Sequence, residues 1–408
     1  MRFIFIHQNF PGQFRHLAKA LAQDDTHQVV AMGHFPDFQG PSALDPKIPL
    51  FGYQTPKANH AETHYYLHDF ESHIRRGQAV IRAAQTLKSK GYYPEVIVAH
   101  PGWGEALFLQ DLFPLARLVL YCEYYYHSTG SDIDFDPEFP ASLDDQAGVR
   151  IKNSTQLLGI STCDAGISPT LWQKSRYPLE YQSKLTVIHE GIDTTGVCPD
   201  STATVMVNGR TFSKGDEVIT FVSRNFEPYR GFHVFLRALP ALLDKRPLAH
   251  VFLVGGDEVS YGMRLPEGQS YRDKYCRELA EQVDWTRVHF VGKLPYDHYL
   301  KILQISACHV YLTYPFILSW SMLEAMSVGC LVVASNTAPV TEVIKHEQNG
   351  LLVDFFDTEQ LVETIANVLK SPADYEVIRH CARQTIIEHF DLKSICLPTM
   401  RAFLTHAL

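Results

Sequence analysis

The sequence has no apolar run long enough to cross a membrane and no pair of cysteines at CxxC spacing. The apolar piece of the amino terminus, MRFIFIHQNF, is too short for the core of a secretion signal. Eight single cysteines are scattered along the chain, and several stand among apolar residues, as in SACHVYL and VGCLVV, where cysteine acts as a small hydrophobic side chain. Such usage is typical of a reducing compartment, so these absences predict a cytoplasmic protein.

An excess of basic residues is also lacking. The chain carries 45 acidic and 36 basic side chains, a net charge of −9, which argues against binding to a nucleic acid backbone. Solenoid repeats, heptads and low-complexity tracts are absent as well. The apolar content of 46% and charged content of 20% are ordinary for a soluble enzyme, and 408 residues predict two domains rather than one core.

Short apolar runs alternate with helical patterns in both halves, which predicts parallel strands with helices on both faces of each sheet. The predicted strands of the first half are 2–7, 27–33, 95–100, 118–124, 165–169 and 185–191. Those of the second half are 218–224, 250–256, 288–292, 309–314, 330–335 and 350–355. The predicted fold class is α/β, with two Rossmann-like doubly wound domains. We expect them to face across a cleft, because ligands bind at the carboxyl ends of such strands.

Domain boundaries follow from composition. The first domain is predicted over 1–196 and the second over 218–390, with a C-terminal helix over 391–408. The segment 197–217 is polar and contains an Asn-Gly turn signal, so we predict a linker that is able to form a small hairpin.

Two arginines flank a loop between a strand and a helix in FVSRNFEPYRGF. Arg224 ends the strand and Arg230 precedes the helix, so both side chains can converge above the edge of the sheet. Arginine forms forked bonds with phosphate oxygens, and helix amino termini favour anions. The pair therefore indicates a diphosphate site, although two unrelated surface arginines would give the same pattern.

Glu324 is the one acid in a helix of apolar and small residues. Ser321 lies three residues before it, which fits a capping box. The alternative is a carboxylate that binds a ribose diol, as acids do in other nucleotide-binding α/β folds. Lys293 follows a further strand, in a loop whose exposed backbone amides and carbonyls could contact a nucleotide base.

Three loops of the first half carry candidate residues. Gly12 follows the first strand and allows the backbone to approach a phosphate, although a single glycine by itself favours a simple turn. His100 ends a strand before two glycines and is a candidate sugar or acceptor contact, with a structural histidine as the alternative. An aromatic and acidic loop follows another strand and suits either a carbohydrate platform or ordinary packing; its candidate acceptor contacts are Glu123, Tyr125 and His127.

Taken together, these motifs resemble family 4 of the retaining nucleotide-sugar glycosyltransferases, which have the GT-B fold. The resemblance rests on LTVIHEGID, FVSRNFEPYRGF, VFLVGGD, VHFVGKLP and LEAMSVGCLVVAS, in that order along nearly the whole chain. It implies that Ser223 and Arg230 take the places of the family's glycine and lysine at the pyrophosphate. It also implies that the last helix packs back on the first domain.

The resemblance implies two sets of site residues. The expected catalytic residues are His100, Arg224, Arg230 and Glu324. The expected residues of the sugar-donor site are Gly12, Arg224, Arg230, Gly255, Lys293, Phe316, Leu318, Ser319, Trp320, Ser321 and Glu324.

One position departs from the family pattern. The family has two glutamates eight residues apart; Glu324 matches the second, whereas Phe316 stands in place of the first. The Gly-Phe-Gly loop after that first glutamate becomes Ile317, Leu318 and Ser319. We therefore expect the sugar of the donor to be recognised differently.

The implied reaction is transfer of a hexose from a UDP- or GDP-sugar to an acceptor hydroxyl, with retention of the anomeric configuration. Arg224 and Arg230 would stabilise the departing diphosphate without a metal or other cofactor. The run DIDFD from Asp132 lies in an acceptor-side loop and is discounted as a metal site. The acceptor is left open among a glycan, a lipid-linked molecule, a protein and a small molecule.

Other functions fit parts of the pattern. A nucleotide-sugar epimerase or a phosphorylase uses the same fold, but nothing singles out the pyridoxal lysine that a phosphorylase needs. A nucleotide-binding partner subunit without activity would explain Phe316. A dehydrogenase is disfavoured, since no strand is followed by G-x-G-x-x-G.

The helical segment 73–91 carries five basic residues and no acid. Such a helix either presents a solvated face or docks on anionic lipid, which would place the protein peripherally at the inner membrane face.

Overall fold

The structure is a computed structural model that describes residues 1–35, 39–57 and 61–405. The chain forms two compact units. The first unit comprises Met1–Gly191 and Leu392–Leu408, and the second unit comprises Ile192–Asp391. The segment 197–217, predicted as a linker, thus lies within the second unit.

The first unit is built on an eight-stranded sheet in the order β3-β4-β2-β1-β5-β6-β7-β8. All neighbouring strands are parallel except β3 and β4. The strands are β1 Arg2–Ile6, β2 Gln28–Gly33, β3 Gln39–Pro41, β4 Pro49–Gly52, β5 Val96–Ala99, β6 Arg117–Tyr121, β7 Ala165–Ser168 and β8 Leu185–Val187.

Helices pack on both faces of this sheet because strand residues alternate between the faces. Phe3 and Phe5 of β1 join one core cluster with the first helix, and Ile4 and Ile6 join another with the long second helix. The helices are α1 Arg15–Ala22, α2 His68–Ser89, α3 Leu109–Leu112, α4 Leu143–Lys152, α5 Ser154–Thr162, α6 Leu171–Arg176 and α7 Leu179–Gln182. Short 3-10 turns cover Gly12–Phe14, Tyr65–Leu67 and Pro101–Trp103.

The second unit contains a six-stranded parallel sheet in the order β13-β12-β11-β14-β15-β16, and a separate hairpin. The hairpin is β9 Thr204–Val207 with β10 Arg210–Ser213, and its Phe212 is buried in the core cluster of this unit. The sheet strands are β11 Val218–Asn225, β12 His250–Gly256, β13 Val288–Gly292, β14 Cys308–Tyr311, β15 Val332–Ser335 and β16 Leu351–Val353. The hairpin segment is therefore part of a packed domain, because Phe212 is buried there and Val205 and Val207 pack against the same cluster.

Seven helices of the described chain flank this sheet: α8 Phe232–Lys245, α9 Tyr271–Glu278, α10 Tyr296–Ile305, α11 Trp320–Ser327, α12 Ala338–Thr341, α13 Thr358–Lys370 and α14 Glu376–Phe390. Short 3-10 turns cover Pro228–Arg230, Trp285–Arg287 and Pro372–Tyr375. The chain then enters a π-helical turn, Leu392–Cys396, and α15 Leu397–Thr405, both grouped with the first unit. Met400 and Leu404 of α15 are buried in the cluster that contains β1 and α1. Two parallel doubly wound sheets confirm the predicted fold class.

Candidate active site

The arginine loop lies at the carboxyl end of β11, where the strand gives way to the turn that precedes α8. Arg230 is buried, and its Nη1 donates to the Tyr311 hydroxyl at 3.2 Å, to Thr313 Oγ1 at 2.8 Å and to the carbonyl of Ile317 at 3.0 Å. Because β14 neighbours β11, these bonds hold the guanidinium at the carboxyl edge of both strands.

Arg224 and Arg230 share one aromatic neighbour. Their guanidinium carbons lie 5.9 and 5.7 Å from the ring centre of Tyr261. Arg224 is exposed, whereas Arg230 is fixed in place. Two guanidinium groups beside one ring concentrate positive charge at this position. Guanidinium groups bind phosphate oxygens through pairs of hydrogen bonds, so a phosphate group is the ligand that suits this site.

Tyr261 lies at this position because hydrogen bonds to the buried Glu227 hold its loop in place. The backbone N–H groups of Ser260, Tyr261 and Gly262 donate to the carboxylate of Glu227 at 3.1, 3.0 and 2.9 Å. Asn225 donates to Ser260 Oγ at 2.7 Å. Glu227 was missed from the sequence, although an acid between Phe and Pro in a buried-looking loop is a usable signal.

Phe316, the residue in place of the family's first glutamate, is buried in an aromatic cluster. Its ring lies 4.9 Å from that of Tyr261 and 5.4 Å from that of Tyr229, measured between centroids. The Arg230 guanidinium lies 5.9 Å from the Phe316 ring. An apolar wall therefore stands beside the arginines at this position. Leu318 packs against the core of the second unit.

Glu324 is occupied by two tyrosines. The hydroxyls of Tyr296 and Tyr299 donate to its two carboxylate oxygens at 2.6 and 2.7 Å. Burial raises the pKa of Glu324, and these hydrogen bonds oppose that effect. The capping-box interpretation is wrong, since the residue that caps α11 is Ser319, whose hydroxyl accepts from the Ser321 N–H at 3.4 Å.

The start of α11 is tied to the arginine loop. The N–H of Ser319 donates to the Tyr311 hydroxyl at 2.8 Å, and that hydroxyl also receives a bond from Arg230. Ser321 is buried and its hydroxyl pairs with that of Ser319 at 3.0 Å, whereas Trp320 is 46% exposed. The structure thus brings Arg230, Ser319 and Ser321 into one hydrogen-bonded group.

Gly255 and Lys293 have structural partners of their own. A Cβ on Gly255 would lie 2.6 Å from the carbonyl oxygen of Ser223, so close strand packing explains this glycine. Lys293 forms an exposed ion pair with Glu258 at 2.8 Å. Its side chain also lies against Gly256, at the carboxyl end of β12.

In the first unit, His100 contacts Glu123. Nε2 of His100 lies 3.4 Å from Oε2 of Glu123, and Gln13 donates to the other carboxylate oxygen at 3.1 Å. The His100 ring stacks on Trp103 with centroids 4.1 Å apart. Burial acts to raise the pKa of Glu123, but its hydrogen bonds and the charge of His100 outweigh burial, and the pKa is lowered.

Gly12 lies close to a side chain. Its φ is +48°, and a Cβ there would lie 2.6–2.8 Å from atoms of the His7 ring. His7 was not among the residues predicted from the sequence. The usable signal in the sequence is that His7 directly follows the first strand of a doubly wound sheet, where ligands bind.

Tyr125 and His127 have packing roles in the structure. Nε2 of His127 donates to the carbonyl of Arg176 at 2.7 Å, and its ring lies 5.8 Å from that of Tyr125. The Tyr125 ring in turn contacts that of Tyr177, at 5.5 Å. Neither residue joins the contacts of His100 and Glu123 described above.

Several basic residues of α2 have partners within the first unit. Arg75 pairs with Glu71, Arg76 donates to the carbonyl of Trp103 at 2.9 Å, and Lys88 donates to that of Leu112 at 2.8 Å. Within the described residues, no helix is long and apolar enough to span a membrane. In the same part of the chain, no group of three His, Cys, Asp or Glu side chains could hold a metal ion.

Two doubly wound units, one of which bears paired arginines at its strand ends, define a two-domain α/β protein of the GT-B class. Two family models match the chain, Glycosyl transferase family 4 group over residues 25–197 and Glycosyl transferases group 1 over residues 208–385. Together they account for most of both units. The chain belongs to the family 4, group 1 glycosyltransferases.

Individual relatives are distant. Spore coat protein SA of Bacillus subtilis is 24% identical over 227 residues, which are 53% of this chain and 57% of that protein. The chain spans about half the length of the curated relatives it matches.

Two solved structures share the fold. Sucrose-phosphate synthase from Thermosynechococcus elongatus has a TM-score of 0.75 at 17% identity, with 99% of this chain and 98% of that one covered. The Anabaena protein HepE in complex with UDP-glucose has a TM-score of 0.68 at 17% identity, with 99% of both chains covered.

Proposed function

We propose that this protein is a retaining glycosyltransferase that moves a hexose-type sugar from a nucleoside diphosphate sugar to an acceptor hydroxyl without a metal ion. The observation that carries the proposal is the position of Arg224 and Arg230 around Tyr261 at the strand ends of the second unit. Membership of the family 4, group 1 glycosyltransferases supports the same reaction.

The chemistry follows from the charge of the leaving group. As the bond between the anomeric carbon and the diphosphate breaks, negative charge grows on the phosphate oxygens, and the two guanidinium groups stabilise it. Arg230 needs little reorganisation, because three hydrogen bonds already hold it. In this proposal the leaving phosphate accepts the proton of the acceptor hydroxyl on the face from which it departs.

Uridine is the proposed base of the donor. HepE, which shares the fold, has been solved with UDP-glucose, and this likeness motivates the choice over GDP. Glu324 is the proposed ribose ligand. A ribose hydroxyl would replace the Tyr296 hydroxyl on the carboxylate, while the buried Tyr299 would stay in place.

Phe316 sets the proposed difference in sugar recognition. A phenyl ring cannot accept hydrogen bonds from sugar hydroxyls as a carboxylate does, and Phe316 with its aromatic neighbours makes this position apolar. We therefore expect a donor whose sugar presents an apolar edge, such as a deoxygenated carbon, to be accepted at this position.

Substitution of the arginines tests the proposal. The variants Arg224→Ala and Arg230→Lys are compared with Arg237→Ala, which removes an arginine of α8 that pairs with Glu278 at 2.6 Å. Calorimetry with UDP should show binding weakened at least about tenfold for Arg224→Ala, since hydrogen bonds to charged groups contribute about 1.5–3 kcal/mol. Product formation from UDP-glucose and a mixed sugar acceptor should fall in parallel. UDP binding by Arg224→Ala equal to that of Arg237→Ala would contradict the proposal.

A catalytically inactive nucleotide-binding subunit is the second candidate. The observation behind it is that Phe316 is buried and both oxygens of Glu324 are engaged by tyrosines. Mass spectrometry separates the two candidates. UDP binding without transfer to any acceptor and without hydrolysis of the sugar donor would favour the inactive subunit.

A further inference from the structure

A surface cavity of about 350 Å³ lies beside β16, the strand at one edge of the sheet of the second unit. Its walls come from the turn before β16, from α13 and from the turn Pro372–Tyr375. The arginine loop is elsewhere in this unit, because it follows the carboxyl end of β11 and two strands, β14 and β15, lie between β11 and β16. The cavity is therefore separate from the proposed diphosphate site.

One wall of the cavity is a polar row on α13. Gln360, Thr364 and Asn367 line the cavity, and their spacing places them on one face of the helix. Oε1 of Gln360 accepts the N–H of Asp354 at 2.7 Å, which orients the amide. Among the described residues, Nε2 of Gln360 and the side chains of Thr364 and Asn367 have no hydrogen-bond partner. The row thus presents amide and hydroxyl groups that the fold itself does not use.

Glu347, in the turn before β16, lines the cavity from a strained backbone position. Its φ is +60°, in the left-handed region that a side chain with a Cβ disfavours. Glycine adopts this conformation freely, so the fold alone would favour glycine here. Strained residues of this kind concentrate at sites that bind ligands. The strain at Glu347 is explained if its exposed carboxylate contacts a ligand in the cavity.

The remaining lining combines hydrogen-bonding groups with apolar side chains. Nδ1 of His346 accepts the N–H of Leu352 at 2.9 Å, so the neutral ring carries its proton on Nε2. Asp374 adds a second carboxylate, and Tyr375 adds a hydroxyl. The side chains of Leu352 and Ile378 are apolar parts of the same lining. The cavity therefore offers donors, acceptors and apolar surface together.

This combination selects among ligand classes. Each hydroxyl of a sugar accepts and donates hydrogen bonds, and the C–H groups of its ring suit apolar side chains. A phosphate would be repelled by Glu347 and Asp374, and no described lysine or arginine lines the cavity. An ammonium group has no lone pair to accept the N–H and O–H donors of α13 and His346. The volume is at the lower end of the range of ~300–1,000 Å³ for ligand pockets, which suits a small sugar.

We propose that this cavity is a binding site for an uncharged pyranose sugar, held by Glu347, by Asp374 and by the polar row of α13. The site goes beyond the proposed transferase reaction and does not rest on it. It would hold a sugar on the second unit apart from the place where the nucleotide-sugar donor is proposed to bind.

Nuclear magnetic resonance of the full chain with ¹³C-labelled isoleucine and leucine methyl groups tests the proposal. The reporters are Ile378 and Leu352, assigned by the loss of their signals in Ile378→Val and Leu352→Met. The probes are the methyl glycosides of glucose, galactose, mannose and N-acetylglucosamine, and at least one should move both signals in a saturable manner. Inorganic phosphate and methylammonium should not. No movement with any of the four glycosides, or equal movement with either ion, would overturn the proposal.

Two variants identify the groups that bind the sugar. Glycine is unstrained at φ +60°, so Glu347→Gly should fold at least as well as the wild type, yet bind the glycoside at least about tenfold more weakly. Thr364→Val keeps the shape of the side chain and should weaken binding several-fold. Asn208→Gly is the matched control, since Asn208 has a φ of +50° in the turn between β9 and β10 and does not line the cavity.

Glycoside binding should be unchanged in Asn208→Gly and also in Arg224→Ala, the variant that tests the proposed diphosphate site. Unchanged affinity in Glu347→Gly would overturn the proposal. Loss of glycoside binding in Arg224→Ala would overturn it as well, because the sugar would then occupy the donor site. The UDP titration of Arg224→Ala is a separate measurement, so failure of this sugar site is distinguishable from failure of the proposed function.

Discussion

The hydroxyl of Tyr299 donates a hydrogen bond of 2.7 Å to Oε2 of Glu324, between α10 and α11 of the second unit. Tyr296, three residues earlier on α10, donates to the other oxygen at 2.6 Å. Tyr299 is buried, whereas Tyr296 is 55% exposed. The two bonds therefore differ in environment: the buried Tyr299 holds one carboxylate oxygen, and the exposed Tyr296 covers the other, which is the oxygen proposed above to bind the ribose.

Replacing the two tyrosines by phenylalanine should separate these two contacts. Tyr299→Phe leaves a buried carboxylate without one of its donors and should lower the free energy of unfolding by about 1.5–3 kcal/mol. Tyr296→Phe should change stability less and should keep or increase UDP affinity, because no hydroxyl then competes with the ribose. Chemical denaturation and calorimetry measure the two quantities. UDP binding lost in Tyr296→Phe but kept in Tyr299→Phe would contradict this division.

Glu227 should control the position of the Tyr261 loop. Glu227→Gln replaces the charged acceptor of three backbone N–H groups by one neutral oxygen and an amide that cannot accept them. We expect faster hydrogen exchange at residues 260–262 and a UDP affinity reduced several-fold, since Tyr261 lies beside both arginines. Glu278→Gln, on the surface of α9, serves as the control. Unchanged exchange in Glu227→Gln would show that other contacts hold the loop.

Gly12→Ala should destabilise the protein more than Gly130→Ala. Both glycines have positive φ, +48° and +68°, so alanine is strained at either position by about 1–2 kcal/mol. Only at Gly12 would the new Cβ meet the His7 ring, at 2.6–2.8 Å, whereas it meets nothing within 4 Å at Gly130. The difference in unfolding free energy between the two variants measures the contact with His7. Equal losses would mean that the ring moves aside without cost.

The sequence predicts the sheets better than the site. Each predicted strand has a counterpart because buried parallel strands are continuous apolar runs, as in HVFLVGG. The strands β3 and β4 were missed, since QGP and PLFG contain the glycine and proline that usually indicate turns. The position of Arg224 and Arg230 at strand ends was predictable because strand-to-helix loops of a doubly wound sheet lie at one edge.

The partners of the site residues were less predictable. Tyr261 lies more than thirty residues from Arg224, and only the Glu227 bonds to its loop bring it there. Glu324 was assigned to a cap or to ribose, whereas its present partners come from another helix. The spacing of Tyr296 and Tyr299 places both on one face of α10, but the sequence does not specify which acid that face meets.

Acid should destabilise the second unit through His309. This residue of β14 is fully buried, and burial lowers its pKa to about 3. In the unfolded chain the imidazole has a pKa of about 6.5, so below that pH the unfolded state binds a proton that the folded state does not. The stability contributed by the neutral ring is therefore present above pH 6.5 and is lost as the pH falls towards 3.

The linkage relation gives a loss of about 2 kcal/mol from this residue between pH 7 and pH 5. His309→Asn keeps a polar partner for the Thr220 hydroxyl, which lies 2.9 Å from Nδ1 of His309, but it cannot titrate in this range. At pH 7 the free energy of unfolding of His309→Asn should be lower than that of the wild type. Between pH 7 and pH 5 it should fall by about 2 kcal/mol less than the wild-type value does. His346→Asn, at an exposed position, is the matched control. Urea denaturation at the two pH values measures the slopes. Equal slopes for wild type and His309→Asn would show that other groups cause the acid sensitivity.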